Sequence, residues 1–207
     1  MQTAHPLSTA LAPRSVAVVG ASERAGALGR YVLTNLLQGG YQGTVWPVNP
    51  KHRQLMGLRC YTSLEQLPAA PDLVVVATPA RTVPGVIEAA GQCGLRAALV
   101  LSAGFAEAGP EGRALQAQML AHAHAAGVRV IGPNCLGLLR PALGLNATFA
   151  RCGAQAGSVA LVAQSGAVVA SALDYAASAG FGFSTVVSTG GSIDVDFSDV
   201  LDFLALD

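Results

Sequence analysis

The sequence predicts an α/β protein, with a Rossmann-like doubly wound parallel sheet followed by the start of a second α/β domain. Three observations point there. Short β-branched runs alternate with helical segments in βαβα order. A glycine-rich turn follows the first run directly and opens a helix. The same alternation breaks near Leu139 and restarts at Ser158.

The elements follow in order. Ser15–Val19 (SVAVV) reads as a strand. Leu28–Gln38 reads as a helix ended by Gly39-Gly40. Thr44–Val48 is the second strand. Asp72–Ala77 is the third, apolar nearly throughout and so predicted to be covered on both faces. Val83–Cys93 is a helix, Ala97–Leu101 a strand, Glu111–Ala126 a long helix and Val128–Ile131 a strand. From Leu139 to Gly157 the periodicity is weak. Beyond it lie strand Ser158–Val162, helix Gly166–Ala179, strand Phe183–Ser188 and helix Ser198–Leu206. The expected organisation is residues 1–140 as one domain, 141–157 as a connector and 158–207 as part of a second. Two strands do not complete a sheet, so a fragment, or a subunit completed by a partner, is expected.

Composition excludes several classes. The formal net charge is zero, so no bulk attraction to nucleic acid or an anionic membrane is expected and anion recognition must be local. No apolar run approaches the ~20 residues of a membrane span, and the first 13 residues lack a signal-peptide pattern. A cytoplasmic location is expected. Cys60, Cys93, Cys135 and Cys152 lie far apart without metal-ligand spacing and read as small buried hydrophobes in a reducing compartment.

The candidate chemistry lies at strand ends, because open parallel sheets bind ligands outside their carboxyl edges. The first such end is GASERAGALG, from Gly20 through Ala21, Ser22, Glu23, Arg24 and Gly26 to Gly29. Glycines there let the backbone turn tightly, and the free N–H groups of a helix start attract phosphate. The loop is longer than G-x-G-x-x-G. A tight βα turn without a ligand would share its glycines. The second strand ends in Val48-Asn49-Pro50-Lys51, where NAD binders carry an acid for the ribose hydroxyls. Lys51 is the only lysine in the chain. An ammonium there attracts a phosphorylated ribose, which argues against NAD and leaves NADP and coenzyme A. The other ends, Thr78-Pro79-Ala80, Ser102-Ala103-Gly104 and Gly132–Gly137 with Asn134, are small or polar. They leave room for a slender chain such as a pantetheine arm.

Gln164-Ser165-Gly166 again joins a strand to a helix. Ala163 stands where a nucleophile elbow needs its first glycine, and none of the four histidines has a plausible acid partner, so phosphate binding at a helix start fits better than serine hydrolysis. Asp194, Asp196 and Asp199 read as helix-capping acids rather than a metal site, with Asp196 or Ser198 at the cap. No catalytic residue and no metal ligand is assigned.

Eight motifs in register, SVAVVGAS (Ser15–Ser22), PVNPK (Pro47–Lys51), Pro71-Asp72-Leu73 with Ala77-Thr78-Pro79, SAGF (Ser102–Phe105), GPNCLG (Gly132–Gly137), LNATF (Leu145–Phe149), Gln164-Ser165-Gly166 and Asp194–Asp196, resemble the ADP-forming acyl-CoA synthetase family, relatives of the succinyl-CoA synthetase alpha subunit. The resemblance implies a CoA-binding domain followed by a flavodoxin-like ligase domain. It implies that the loop around Ser22, Lys51, Thr78–Ala80 and Ser102–Gly104 run along CoA or acetyl-CoA. It also implies that the Gln164-Ser165-Gly166 helix start cradles a phosphohistidine. The family converts acyl-CoA, ADP and phosphate into acid, CoA and ATP.

By that resemblance the phosphohistidine lies beyond Asp207, and ATP or ADP with Mg would bind only through ATP-grasp parts outside this chain. The chain alone is expected to bind CoA without completing the reaction. GPNCLGLL (Gly132–Leu139) and STGGSIDVD (Ser188–Asp196) are also similar to bacterial protein lysine acetyltransferases, where such a module senses acetyl-CoA. The expected partners are a CoA thioester and downstream ligase, ATP-grasp or acetyltransferase domains, with a homo-oligomer as a further option. The competing classes are an NADP-dependent oxidoreductase and a pure assembly subunit.

Overall fold

The computed structural model describes residues 5–207. A short helical turn, α1 (Ser8–Leu11), precedes β1 (Ser15–Val19). Then come α2 (Leu28–Gln38), β2 (Thr44–Val48) and a two-rung hairpin of β3 (Gln54–Leu55) and β4 (Leu58–Arg59). They are followed by β5 (Leu73–Val76), α3 (Val83–Gln92), β6 (Ala97–Val100), α4 (Pro110–Ala126) and β7 (Arg129–Ile131). These strands form one parallel sheet in the order β2-β1-β5-β6-β7. The chain leaves β1 to one side for β2 and returns on the other side to β5. That reversal opens a crevice at the carboxyl ends of β1 and β5.

The strands are apolar because both faces are covered. Val16, Val18, Leu73, Val75 and Leu99 point to one core, with Leu33 and Leu36 of α2. Ala17, Val19, Val74, Val76, Ala98 and Val100 point to the other, under Ile87 of α3 and Met119 and Ala123 of α4. Pro84 and Pro110 sit in the first turns of α3 and α4, where a missing N–H costs nothing. Gly127 closes α4 in the left-handed conformation.

The stretch read as a weakly periodic connector contains a hairpin. β8 (Gly137–Arg140) and β9 (Leu145–Thr148) pair antiparallel, and β8 pairs antiparallel with β11 (Phe183–Ser188). β11 is parallel to β10 (Ala156–Ala163), with α5 (Gly166–Ala179) crossing between them, and α6 (Phe197–Leu204) follows. The second sheet therefore runs β10-β11-β8-β9. β9 is buried at every position, including Asn146 and Thr148, so no polar alternation marks it. Its polar groups are satisfied internally. Thr148 Oγ1 donates to Asn146 Oδ1 at 2.7 Å, and Asn35 of α2 donates to the carbonyls of Thr148 and Ala150.

This hairpin also merges the two sheets. Leu138, Leu145, Ala147, Val187 and Phe203 belong to the same cluster as α2 and one face of the first sheet. Residues Ile193–Val195 run beside β7, with Val195 N–H donating to Val130 O and Val130 N–H to Asp194 Oδ2 at 2.6 Å. Arg129 then bonds Asp194 at 3.1 Å and Asp199 at 3.0 Å. Burial works against the Arg129 cation, but the two carboxylates outweigh it and raise its pKa. Asp196 is the cap of α6, in a capping box with Asp199.

Two thiols depart from expectation. Cys60 and Cys135 are buried, whereas Cys93 and Cys152 are only partly covered. Cys93 lies just past α3, and Cys152 sits beside α5 with its Sγ 3.2 Å from Asp174 Oδ1. Among the described residues no helix is long and apolar enough to cross a membrane.

Candidate functional site

The carboxyl ends of β1, β2, β5 and β6 open into a cleft of about 1320 Å³. Gly20, Ser22, Glu23, Arg24 and Gly26 line it from the first loop, and Asn49 and Lys51 from the end of β2. Thr78 and Pro79 line it after β5, and Ser102 and Ala103 after β6. Residues far apart in sequence thus meet because parallel strands present all their carboxyl ends on one edge.

The first loop is held by close backbone approaches. Gly20 has φ +88°, and a Cβ there would lie 2.8 Å from the Ala77 carbonyl oxygen. Gly29, in the first turn of α2, lies so close that a Cβ would stand 2.0 Å from the Gly20 carbonyl oxygen. Helix and loop can therefore pack backbone to backbone. Ala21 is fully buried beneath the loop rather than in the cleft. Ser22 Oγ accepts from Arg24 N–H, while Glu23 Oε1 accepts from Met56 N–H across the β3–β4 hairpin. The acid is thereby tied to the hairpin. The N-cap of α2 is Ala27, with no side-chain cap and no acid in the first turn, so this helix start is free to face an anion.

Asn49 builds the turn that presents Lys51. Its Nδ2 donates to Ala21 O at 2.8 Å, and its Oδ1 accepts from Lys51 N–H at 2.9 Å. One side chain thus joins the first loop to the end of β2. Lys51 is exposed and forms no ion pair among the described residues. On the next strand ends, Ser102 Oγ donates to Thr78 O, and Thr82 Oγ1 donates to Pro79 O at 2.8 Å. Ala80 and Gly104 adjoin these lining residues, Gly104 with φ +108°. Glu107 folds back to accept from Gly104 N–H at 2.6 Å. Partial burial works against its charge, but the backbone donors hold its pKa below the ordinary value.

Asn134, Gln164, Ser165 and Gly166 are not part of the cleft wall. Asn134 has φ +54° and lies between the sheets, where its N–H donates to Ser102 O. Ser165 caps α5 by accepting from Val168 N–H. Gly166 packs on Leu136, and Gln164 Nε2 donates to Gly190 O at 3.0 Å.

Other lining residues escaped the sequence reading. Leu64, Val86 and Ala89 give the cleft an apolar wall, and Arg81 and His52 add polarity at its mouth. Val86 and Ala89 belong to the amphipathic pattern of α3, which looks like ordinary core packing in sequence. Arg81 sits three residues past Thr78, and its place in a strand-end turn was the available signal.

Comparison with known proteins places the chain in a family. The family model described as CoA binding domain matches residues 14–141, and one described as succinyl-CoA ligase like flavodoxin domain matches residues 156–207. An ADP-forming acetate–CoA ligase I of Archaeoglobus fulgidus is 41% identical over 94% of this chain. The alpha subunit of an ADP-forming acetate–CoA ligase I of Pyrococcus furiosus is 36% identical over 92% of it. A solved acetyl-coenzyme A synthetase 1 of Candidatus Korarchaeum cryptofilum, described as dinucleotide forming and in complex with phosphate and ADP, superposes with a TM-score of 0.93 at 38% identity over 97% of this chain. The chain spans 28%, 42% and 43% of these three relatives respectively. With a family model covering most of its length, the chain belongs to the CoA-binding domain family, joined here to a succinyl-CoA ligase-like flavodoxin segment.

Proposed function

We propose that the cleft binds coenzyme A and its acyl thioesters, acetyl-CoA among them, on behalf of a larger ADP-forming acyl-CoA ligase. The observation that carries the reading is the Lys51 ammonium at the end of β2, which has no ion-pair partner among the described residues and is held in its turn by Asn49. In this reading Lys51 takes the ribose 3′-phosphate. The Gly20–Gly26 loop and the uncapped start of α2 take the pyrophosphate, where backbone N–H groups and the helix dipole favour negative charge. The nucleobase rests against Leu64, Val86 and Ala89. The pantetheine arm crosses Thr78–Ala80 and Ser102–Gly104.

The residues present suit that ligand. Gly20 leaves no room for a side chain, and no carboxylate pairs with Lys51 among the described residues. The cleft is larger than the ~300–1,000 Å³ of drug-sized sites, as an extended ligand requires. Acid–thiol ligation, with ADP, phosphate and Mg, would use regions of the relatives beyond the matched part. The Gln164-Ser165-Gly166 helix start would face the phosphorylated group of that chemistry.

Calorimetric titration with CoA, acetyl-CoA and NADP tests the proposal. CoA and acetyl-CoA should bind and NADP should not. Binding of NADP in preference to CoA would overturn it and restore the oxidoreductase reading.

A further inference from the structure

We propose that the CoA cleft and the start of α5 are thermodynamically coupled through a hydrogen-bonded bridge from Ser102 to Gln164, with Gln164 as a positioning residue for the cleft. The inference rests on the reading of the cleft as a CoA site and goes beyond it.

The bridge is continuous. Ser102 lines the cleft, and its Oγ donates to Thr78 O on the neighbouring strand end. Its carbonyl accepts from Asn134 N–H at 3.0 Å. Pro133 O, one residue earlier, accepts from Gly191 N–H at 2.7 Å. The Asn134 carbonyl packs against Gly190, where an added Cβ would lie 2.6 Å from its oxygen. Gly190 and Gln164 then exchange two bonds. Gly190 N–H donates to Gln164 O at 3.1 Å, and Gln164 Nε2 returns one to Gly190 O at 3.0 Å. Gln164 is followed by Ser165, the cap of α5. A second tie runs beside the first, from Leu136 N–H to Ser188 Oγ at 3.1 Å.

The bridge contains left-handed backbone at two places. Ser192 sits at φ +46°, which a serine enters at a penalty, and Asn134 at φ +54°, which asparagine tolerates. Such a segment keeps its shape only while its neighbours hold it. A ligand that orders the Ser102–Gly104 loop fixes the acceptor of Asn134 N–H and so removes part of the cost of ordering 132–136 and 189–192. By linkage, whatever orders the start of α5 tightens CoA binding by the same factor. Gln164 is outside the cleft wall and one of its amide N–H groups bonds Gly190 O, so its influence on CoA travels through the bridge.

Hydrogen–deuterium exchange of the protein with and without CoA tests this, together with CoA titration of Gln164→Ala. Direct contact slows exchange in the loops at 20–26 and 102–104. Coupling predicts that exchange at 189–192 and 164–168 also slows, by about fivefold, and that Gln164→Ala weakens CoA by a similar factor. Protection confined to the cleft loops, or a Gln164→Ala variant with unchanged affinity, overturns the coupling and leaves the CoA reading standing. No protection anywhere overturns both. The exchange measurement needs no variant, so it decides the matter even if Gln164→Ala fails to fold.

Discussion

Replacing Gly29 by alanine places a methyl group where the structure has no room for one. The new Cβ would lie 2.0 Å from the Gly20 carbonyl oxygen and 2.7 Å from its carbon. Relief requires the start of α2 and the first loop to part by at least about 1 Å, and overpacking of this kind costs roughly 1–3 kcal/mol. Alanine's better helix preference returns about 0.5–1 kcal/mol, so a net loss of about 1 kcal/mol is expected. For a chain of this size that lowers the melting temperature by about 2–4 °C. The displaced loop is the proposed pyrophosphate seat, so CoA affinity should fall by about tenfold as well, the equivalent of one misplaced charge-assisted contact. Gly85→Ala is the matched control for stability alone, because Gly85 itself lines the cleft. It lies in α3 with no atom within 4 Å of the added Cβ and no left-handed φ. It should raise the melting temperature by about 2 °C through the smaller backbone entropy of the unfolded chain. Thermal unfolding followed by circular dichroism, with calorimetry for CoA, reads both effects. A Gly29→Ala protein that melts within about 1 °C of the parent and binds CoA equally well would refute the close approach.

Three further outcomes are expected. Arg129→Ala leaves Asp194 and Asp199 without their shared cation and should cost about 1–3 kcal/mol in urea unfolding, less than a fully buried pair because the partners are partly wet; an unchanged midpoint would contradict the clasp. Asp196 is held below its ordinary value of 3.8, first by the Ser198 hydroxyl and then by the Asp199 N–H. A native value below the unfolded one stabilises the fold above that pH and is lost as pH falls through the native value, so the acid-side loss should shrink in Asp196→Asn, measured as urea midpoints from about pH 5 to pH 2. Finally, burial raises all four thiols, Cys135 up to about 12, so access sets the order: thiol reagents at neutral pH should modify the partly covered Cys93 and Cys152 first, with Cys135 reacting only after unfolding; early loss of Cys135 by mass spectrometry would contradict that order.

The first sheet was legible because each strand is a short apolar run ended by glycine, proline or a small polar residue. The ranges read for β1, α2, β2, α5 and β11 match the structure residue for residue. The β8–β9 hairpin was not legible. Its apolar positions are Leu138, Leu139, Leu145 and Ala147, but buried Asn146 and Thr148 interrupt them, bonded to each other while Asn35 ties down the Thr148 carbonyl. A tertiary hydrogen bond from residue 35 leaves no trace in a window around residue 146. The two-residue strands β3 and β4 fall below any detectable period.

The site divides in the same way. Gly20, Asn49, Lys51, Thr78 and Ser102 stand at strand ends, where fold logic alone marks them. Val86 and Ala89 reach the cleft from a helix face that also faces the core, so sequence pattern does not separate the two roles. The Gln164-Ser165-Gly166 turn was recognisable as a helix start, whereas its reciprocal bonding with Gly190 became visible only in three dimensions.

The central claim is that the Lys51 ammonium receives the phosphate on the ribose of coenzyme A. Calorimetric titration of the parent protein and of Lys51→Ala with CoA and with 3′-dephospho-CoA tests it most directly. The account predicts that the substitution weakens CoA by about 1.5–3 kcal/mol, the worth of a charge-assisted contact, and barely alters the dephosphorylated ligand. Equal weakening of both ligands, or of neither, would contradict it.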